Sequence, residues 1–94
     1  MYVAQRGPVT VDVIDVVRQL RDIVADVAEM APDDVPLDAR FYDDLLIDSL
    51  QKLEIVVRVE RGFGIKLTDH EATGLDSLRS AVALLRARGA LGDG

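Results

Sequence analysis

The chain has 94 residues, of which 49% are apolar and only two Phe and two Tyr are aromatic. This length suits one small domain with a modest core and leaves little room for a deep active-site cleft. The formal net charge of −6 and the pI near 4.5 disfavour nucleic acid and anionic membranes as partners, because both attract positive surfaces. The chain has no cysteine, which excludes disulfide bonds, thiolate metal sites and a cysteine nucleophile.

The sequence pattern of the N-terminal residues does not indicate a targeting signal. Residues 1–9 contain one arginine, a proline at position 8 and no sustained apolar run, which is unlike a signal peptide. No stretch has the length of a membrane span. We therefore expect a cytoplasmic protein without a membrane partner, in which residues 1–9 are a flexible lead-in, 10–89 form the domain and 90–94 are a flexible tail.

Apolar residues recur at helical spacing between residues 11 and 30, which predicts a long first helix. Thr10 is its expected N-cap, Asp12 lies in its first turn and Pro32 ends it. The apolar stripe consists of Val13, Val16, Val17, Leu20, Ile23, Val24, Val27 and Ala28.

Residues 31–47 form a long acidic connection that we expect to be ordered. Leu37, Phe41 and Leu45 are its expected anchors in the core, with Leu46 as a further candidate. Residues 26–48 hold eight acidic residues against one basic residue, Arg40, for a net charge of −7. A solvated loop and a negative rim around the following serine, Ser49, explain this cluster about equally well.

Asp48 is the N-cap candidate of a second helix, and Gln51 three positions later completes the pattern of a capping box. The helix is predicted to reach about Arg61 and to end at Gly62 and Gly64. Its apolar positions are Leu50, Leu53, Val56, Val57 and Val59.

Two further helices complete the domain. Residues 68–72 predict a short helix capped by Thr68, and Ser77 begins a last helix that Gly89 closes. The buried stripe of the last helix is Leu78, Ala81, Val82 and Leu85. The predicted fold is an all-α, small four-helix bundle with a short third helix.

The sequence offers little for catalysis. His70 is the one histidine, and nothing in its spacing from Ser49 supports a catalytic triad, so we expect a surface residue. The acidic loop lacks the alternating ligands and turn glycine of a calcium loop. We expect neither catalytic residues nor a metal, and a chain that is not an enzyme.

The tripeptide Asp-Ser-Leu occurs twice, at residues 48–50 and 76–78. Ser49 follows the acidic loop and begins a helix, where backbone N–H groups favour a phosphate ester on an exposed hydroxyl. Ser77 has the position of an N-cap for the last helix.

Residues 41–50, Phe-Tyr-Asp-Asp-Leu-Leu-Ile-Asp-Ser-Leu, followed by Leu53-Glu54-Ile55, resemble the signature of the acyl carrier protein family. The resemblance runs without gaps from about residue 10 to 88. It implies that Ser49 bears 4′-phosphopantetheine taken from coenzyme A, and that the thiol of this arm carries acyl groups as thioesters. In the same register, Ser77 starts the last helix and is not modified. The bundle interior would shelter a short or medium acyl chain.

The resemblance also implies partners: a phosphopantetheinyl transferase, and an acyltransferase, ketosynthase or acyl ligase. The chain alone is expected to be a monomer. The expected docking residues are Asp44, Leu46, Ile47, Asp48, Leu50 and Glu54. All of them except Asp44 also have a purely structural interpretation. Asp48 is a cap, Leu46 and Ile47 are loop anchors, and Glu54 is an ion-pair partner of Arg58. For Leu50 we favour the structural interpretation, a core residue.

Departures from the family pattern refine the expected pathway. Leu46 replaces a glycine, and we expect its side chain to be exposed and to contact a partner. Lys52, Arg58 and Arg61 make the second helix less acidic than in carriers of fatty-acid synthesis, and would repel the partners of those carriers. This favours polyketide or related specialised synthesis, including antibiotics, and Asp48 argues against a peptidyl carrier. An aminoacyl carrier and an unmodified acidic interaction module remain alternatives.

Overall fold

The computed structural model describes residues 13–89, which fold into four α-helices and a short 3-10 helix. The helices are α1 (Val13–Ala28), α2 (Ser49–Phe63), α3 (Asp69–Thr73) and α4 (Leu78–Ala87), and the 3-10 helix is Pro32–Asp34. The predicted all-α bundle with a short third helix is confirmed. Thr10, Asp12, the lead-in and the tail lie outside the described residues. Within these residues, no helix is both long and apolar enough to span a membrane.

The ends of α2 are fixed by local chemistry that the sequence predicted. The Asp48 carboxylate accepts the Gln51 backbone N–H at 2.8 Å, and the Gln51 side chain accepts the Asp48 N–H at 3.0 Å. The helix extends to Phe63, two residues beyond the predicted end. It stops there because Gly64 adopts a left-handed φ of 66°, a conformation that favours glycine.

The core lies where α1 packs against α2 and α4. Apolar side chains from all three helices and from the connecting loops fill it. The buried apolar residues are Val16, Leu20, Val24, Ala25, Val27, Val35, Phe41, Ile47, Ile55, Val56, Val59, Leu67, Leu75, Leu78, Ala81 and Leu85.

The buried face of α2 differs from the predicted one. Val56 and Val59 of the predicted set are buried, and Ile55 is buried with them, but Leu50 and Leu53 are 76% and 58% exposed. Two apolar stripes run along this helix at helical spacing, and contact with α1 buries only one of them. The expectation that Leu50 belongs to the core is therefore wrong, and α2 presents leucines to solvent.

The connection from α1 to α2 is held against the start of α4. Phe41 is completely buried, and its N–H donates to the Asp76 carbonyl at 2.9 Å. The Ile47 N–H donates to the Phe41 carbonyl at 2.9 Å, and the Arg79 N–H donates to the Leu37 carbonyl at 3.0 Å. These contacts confirm that the connection is ordered and anchored by apolar residues.

Phe41→Ala should lower the free energy of unfolding by about 3–5 kcal/mol, because it leaves a cavity beneath the connection. Leu46→Ala, at an exposed position in the same connection, should change it by less than about 0.5 kcal/mol. Urea denaturation followed by circular dichroism measures both. Equal losses for the two variants would contradict the anchoring role of Phe41.

Candidate functional site

The Ser77 copy of the repeated tripeptide is structural. Ser77 is buried, and its hydroxyl oxygen accepts the Ser80 backbone N–H at 3.1 Å. The Ser77 N–H donates to the Ser80 hydroxyl at 2.9 Å, which completes a capping box at the start of α4. Leu78 is fully buried beside it. The predicted N-cap role of Ser77 is confirmed, and its hydroxyl is already engaged.

The Ser49 copy has the opposite environment. Ser49 is exposed and is the first residue of α2. Its hydroxyl makes no hydrogen bond to any other residue between 13 and 89. The first N–H groups of a helix lack acceptors within the helix, and the helix dipole places partial positive charge there. The Ser49 oxygen is thus available, in a position that suits a negatively charged substituent.

Apolar side chains surround Ser49 on the surface. Leu46 is 80% exposed, as predicted, and Tyr42, Leu50 and Leu53 are exposed as well. We call these four residues the Ser49 apolar patch. Ile47 is buried, which corrects the expectation that it contacts a partner directly. The Ile47 side chain packs into the core and leaves its neighbour Leu46 facing solvent.

Leu46 has a left-handed backbone conformation, with φ at 58°. This region is disfavoured for residues with a Cβ atom, at a cost of about 1–2 kcal/mol. The position therefore suits glycine on backbone grounds, and a leucine there has no compensating burial. The third expected anchor of the connection, Leu45, is partly buried against the core.

The acids next to Ser49 are exposed, but each one is hydrogen-bonded. The Asp44 carboxylate accepts the Arg40 backbone N–H at 2.7 Å, and Asp48 caps α2. Glu54 accepts from the Arg58 guanidinium at 2.8 Å, which confirms the expected pair. Arg58 also pairs with Asp26, so one cation is shared by two carboxylates, and Asp44, Asp48 and Glu54 together leave a net negative potential beside Ser49.

Lys52 does not lie on the surface of α2 as the sequence suggested. It is only 8% exposed, and its ammonium lies 5.4 Å from the centre of the Tyr42 ring. Burial lowers the pKa of Lys52, and the nearby Asp76 carboxylate opposes that shift. Because most of the side chain is buried, Lys52 offers little surface for direct contact with a partner, and its expected repulsion of partners stays a prediction. Arg61 is exposed and retains that capacity.

A cleft of about 560 Å³ opens beside Ser49, between α2 and α3. Its volume falls within the roughly 300–1,000 Å³ that is usual for small-molecule sites. The cleft lies at the surface, and the expectation that the bundle interior shelters an acyl chain stays a prediction. Its lining is mixed, with Leu53, Val56, Leu67 and Ala72 beside Lys52, Glu60, Lys66 and Asp69.

The described part of the chain assembles no metal centre. His70 is exposed on α3, as predicted, and does not line the cleft beside Ser49. Between residues 13 and 89, the side chains of His, Asp and Glu form no group of three that could hold a metal ion.

Comparison with known proteins agrees with this geometry. The family described as a phosphopantetheine attachment site matches residues 18–85. An acyl carrier protein of a polyketide synthase from Streptomyces avermitilis is 44% identical over 80% of this chain and 84% of its own length. The acyl carrier protein of Campylobacter hominis is 36% identical over 77% of this chain and 91% of its own. The acyl carrier protein of Enterococcus faecalis shares the fold, with a TM-score of 0.65 at 22% identity over 87% of this chain and 98% of that structure.

Replacing each of the two serines by alanine should affect the free energy of unfolding differently. Ser77→Ala should lower the free energy of unfolding by about 1 kcal/mol, because α4 loses its cap. Ser49→Ala should change it by less than about 0.5 kcal/mol, because no hydrogen bond is lost. Paired urea titrations measure the difference. A larger loss for Ser49→Ala would show that its hydroxyl has a structural role.

Leu46→Gly should leave the thermal stability unchanged or raise it slightly. Glycine removes the strain of a leucine in the left-handed conformation, which favours the folded state. Glycine also gives the unfolded chain more conformational entropy, which costs about 0.4–1 kcal/mol of stability. A thermal melt beside that of Leu46→Ala checks this. A large fall in melting temperature for Leu46→Gly would mean that the leucine side chain supports the fold.

Proposed function

This chain belongs to the acyl carrier protein family, and we propose that Ser49 is the residue that bears its 4′-phosphopantetheine. The carried acyl intermediates are held as thioesters on the thiol of that group, which supplies the thiol that the chain itself, having no cysteine, lacks. The observation that carries the proposal is the Ser49 hydroxyl, exposed and without a hydrogen-bond partner in residues 13–89. Ser77 is a poor alternative because its hydroxyl is buried and caps α4.

The positive end of α2 also fits the group chemically. A phosphodiester on Ser49 retains one negative charge, and unpaired N–H groups at a helix start stabilise such an anion. The chain's own part is to present Ser49 at a rigid helix end and to offer surfaces to partner enzymes. We propose no catalytic step on this chain itself.

Intact-mass measurement tests the attachment site. The purified chain is incubated with coenzyme A and a phosphopantetheinyl transferase of broad specificity. We expect one phosphopantetheine on the wild type and on Ser77→Ala, and none on Ser49→Ala. An increase in mass that persists in Ser49→Ala would contradict the assignment.

We propose that partner enzymes dock on the Ser49 apolar patch and on the acids beside it. In such contacts a few side chains that become fully desolvated supply most of the affinity, whereas surface charges mainly raise the association rate. The proposed contact residues are Asp44, Leu46, Asp48, Leu50 and Glu54, without the buried Ile47. For Leu46→Gly, we expect normal attachment on Ser49 and slower acyl loading by the enzyme that serves this chain.

The proposed pathway is of the polyketide or a related specialised type. The match to a polyketide synthase carrier at 44% identity supports it, as do the exposed Leu46 and the basic Arg61 on α2. The proposed partners are a phosphopantetheinyl transferase and an acyltransferase, ketosynthase or acyl ligase. We propose a monomeric, cytoplasmic carrier.

Reversing charge beside Ser49 should slow association with the transferase. We expect Asp44→Lys with Glu54→Lys to reduce kcat/KM by about three- to tenfold at low salt, and less at high salt. The matched control is the double variant Asp15→Lys with Asp22→Lys, which reverses two exposed acids on α1 and has the same net charge. Equal effects of the two double variants would show that only total charge matters.

A further inference from the structure

A second groove, distinct from the cleft beside Ser49, runs along the seam where α1 packs against α4. It has a volume of about 570 Å³, and none of its lining residues lines the cleft beside Ser49. Six of its eight lining residues are apolar and the other two are arginines, so that no acid of residues 13–89 lines it. The floor of the groove is formed by Val13, Val17, Val82, Ala83 and Ala87.

The domain covers the apolar side chains of this groove only in part. Val13 is 39% exposed, Val17 and Val82 are half-buried, and Ala83 and Ala87 are exposed. A continuous apolar surface that stays in contact with water is typical of a site where another molecule binds. The groove is therefore a candidate interaction surface.

The arginines give the groove a charge opposite to that of the whole chain. α4 carries Arg79 and Arg86 and no acid, whereas the chain has a net charge of −6. The Arg79 guanidinium binds Asp38 in an exposed ion pair, but the Arg86 guanidinium pairs with no carboxylate within residues 13–89. An occupant with carboxylates at its edge would give Arg86 a partner, and a basic occupant would be repelled.

The length of the groove suits a helix. The groove extends along α4 from Arg79 to Ala87, eight residues apart, which corresponds to about 12 Å or slightly more than two turns. An amphipathic helix that binds in a groove presents apolar side chains at i, i+3 or i+4 and i+7, over the same length. The short side chains of Ala83 and Ala87 let the axis of a second helix come close.

We propose that the groove between α1 and α4 binds an acidic amphipathic helix of a partner protein. The apolar residues of that helix pack on Val17 and Val82, and a carboxylate at its edge pairs with Arg86. Because Ser49 lies outside the groove, such a partner holds the chain while Ser49 stays accessible to other enzymes. This role rests on the proposed attachment at Ser49, whereas the binding itself does not.

Two other occupants fit the charges less well. Residues 1–12 are joined directly to Val13, but residues 1–9 contain Arg6 and no acid. A second copy of the chain would bring together two molecules that each have a net charge of −6. The two occupants and the partner helix are distinguishable, because each would leave a different sequence attached to the groove in a cross-linking experiment.

Photo-cross-linking in cells that naturally produce the protein identifies the occupant. Ala83→p-benzoylphenylalanine places a photoreactive group at an exposed position in the groove, and His70→p-benzoylphenylalanine, at an exposed position on α3 outside it, is the control. After irradiation, mass spectrometry gives the sequence of the peptide attached at each position. We expect the group at position 83 to capture a segment of another protein with apolar residues at helical spacing and an excess of acids, and the control not to capture it.

Several outcomes of the cross-linking would overturn the proposal. They are the absence of an adduct at position 83, an adduct with residues 1–12 of the same chain, an adduct with a second copy, and a captured segment without an excess of acids. Intact mass shows whether each variant still receives phosphopantetheine on Ser49, so that a failure of that attachment is recognised separately.

A synthetic peptide with the captured sequence then tests the role of Arg86. Calorimetry measures its affinity for the purified chain. Arg86→Glu should weaken binding by about three- to tenfold at low salt, and less at high salt. Arg61→Glu is the matched control, because Arg61 is also exposed, lies on α2 outside the groove and gives the same net charge. Equal weakening by the two variants would contradict the proposed pairing with Arg86.

Discussion

The packing of Phe41 under the connection between α1 and α2 is the constraint on which the presentation of Ser49 depends. Phe41 is fully buried, its N–H is bonded to the Asp76 carbonyl, and its carbonyl accepts the Ile47 N–H. These bonds fix the path of the chain just before Asp48. The capping box of Asp48 then starts α2 at Ser49, so that the hydroxyl faces solvent at a defined point.

The same constraint links the two Asp-Ser-Leu tripeptides. Asp76, in the second tripeptide, supplies the carbonyl that holds Phe41, and the adjacent Ser77 caps α4. The second copy thus stabilises the scaffold that presents the first. The same short sequence is exposed with a free hydroxyl in the copy that we propose for attachment, and buried with an engaged hydroxyl in the structural copy.

Much of this arrangement could be predicted from the sequence because it depends on local chemistry. Neighbouring residues determine the helix caps at Asp48, Thr68 and Ser77 and the left-handed conformation of Gly64. The structure contains all three caps and the left-handed glycine. The exposure of Leu46 could be predicted because Phe41 and Leu45 already anchor the connection in the core.

Other features depend on packing that no local pattern specifies. Two apolar stripes on α2 both have helical spacing, so periodicity could not decide that Ile55 is buried and Leu50 exposed. The burial of Lys52 was missed because lysines are almost always exposed. The cleft beside Ser49 exists only once α3 lies near α2, which required the full fold.

Peptide mapping of the protein purified from cells that naturally produce it tests the central claim most directly. Trypsin should release residues 41–52, with Ser49, separately from residues 67–79, with Ser77. The account predicts phosphopantetheine on Ser49 in the first peptide and an unmodified second peptide. A modified Ser77, or an active protein in which Ser49 is never modified, would contradict it.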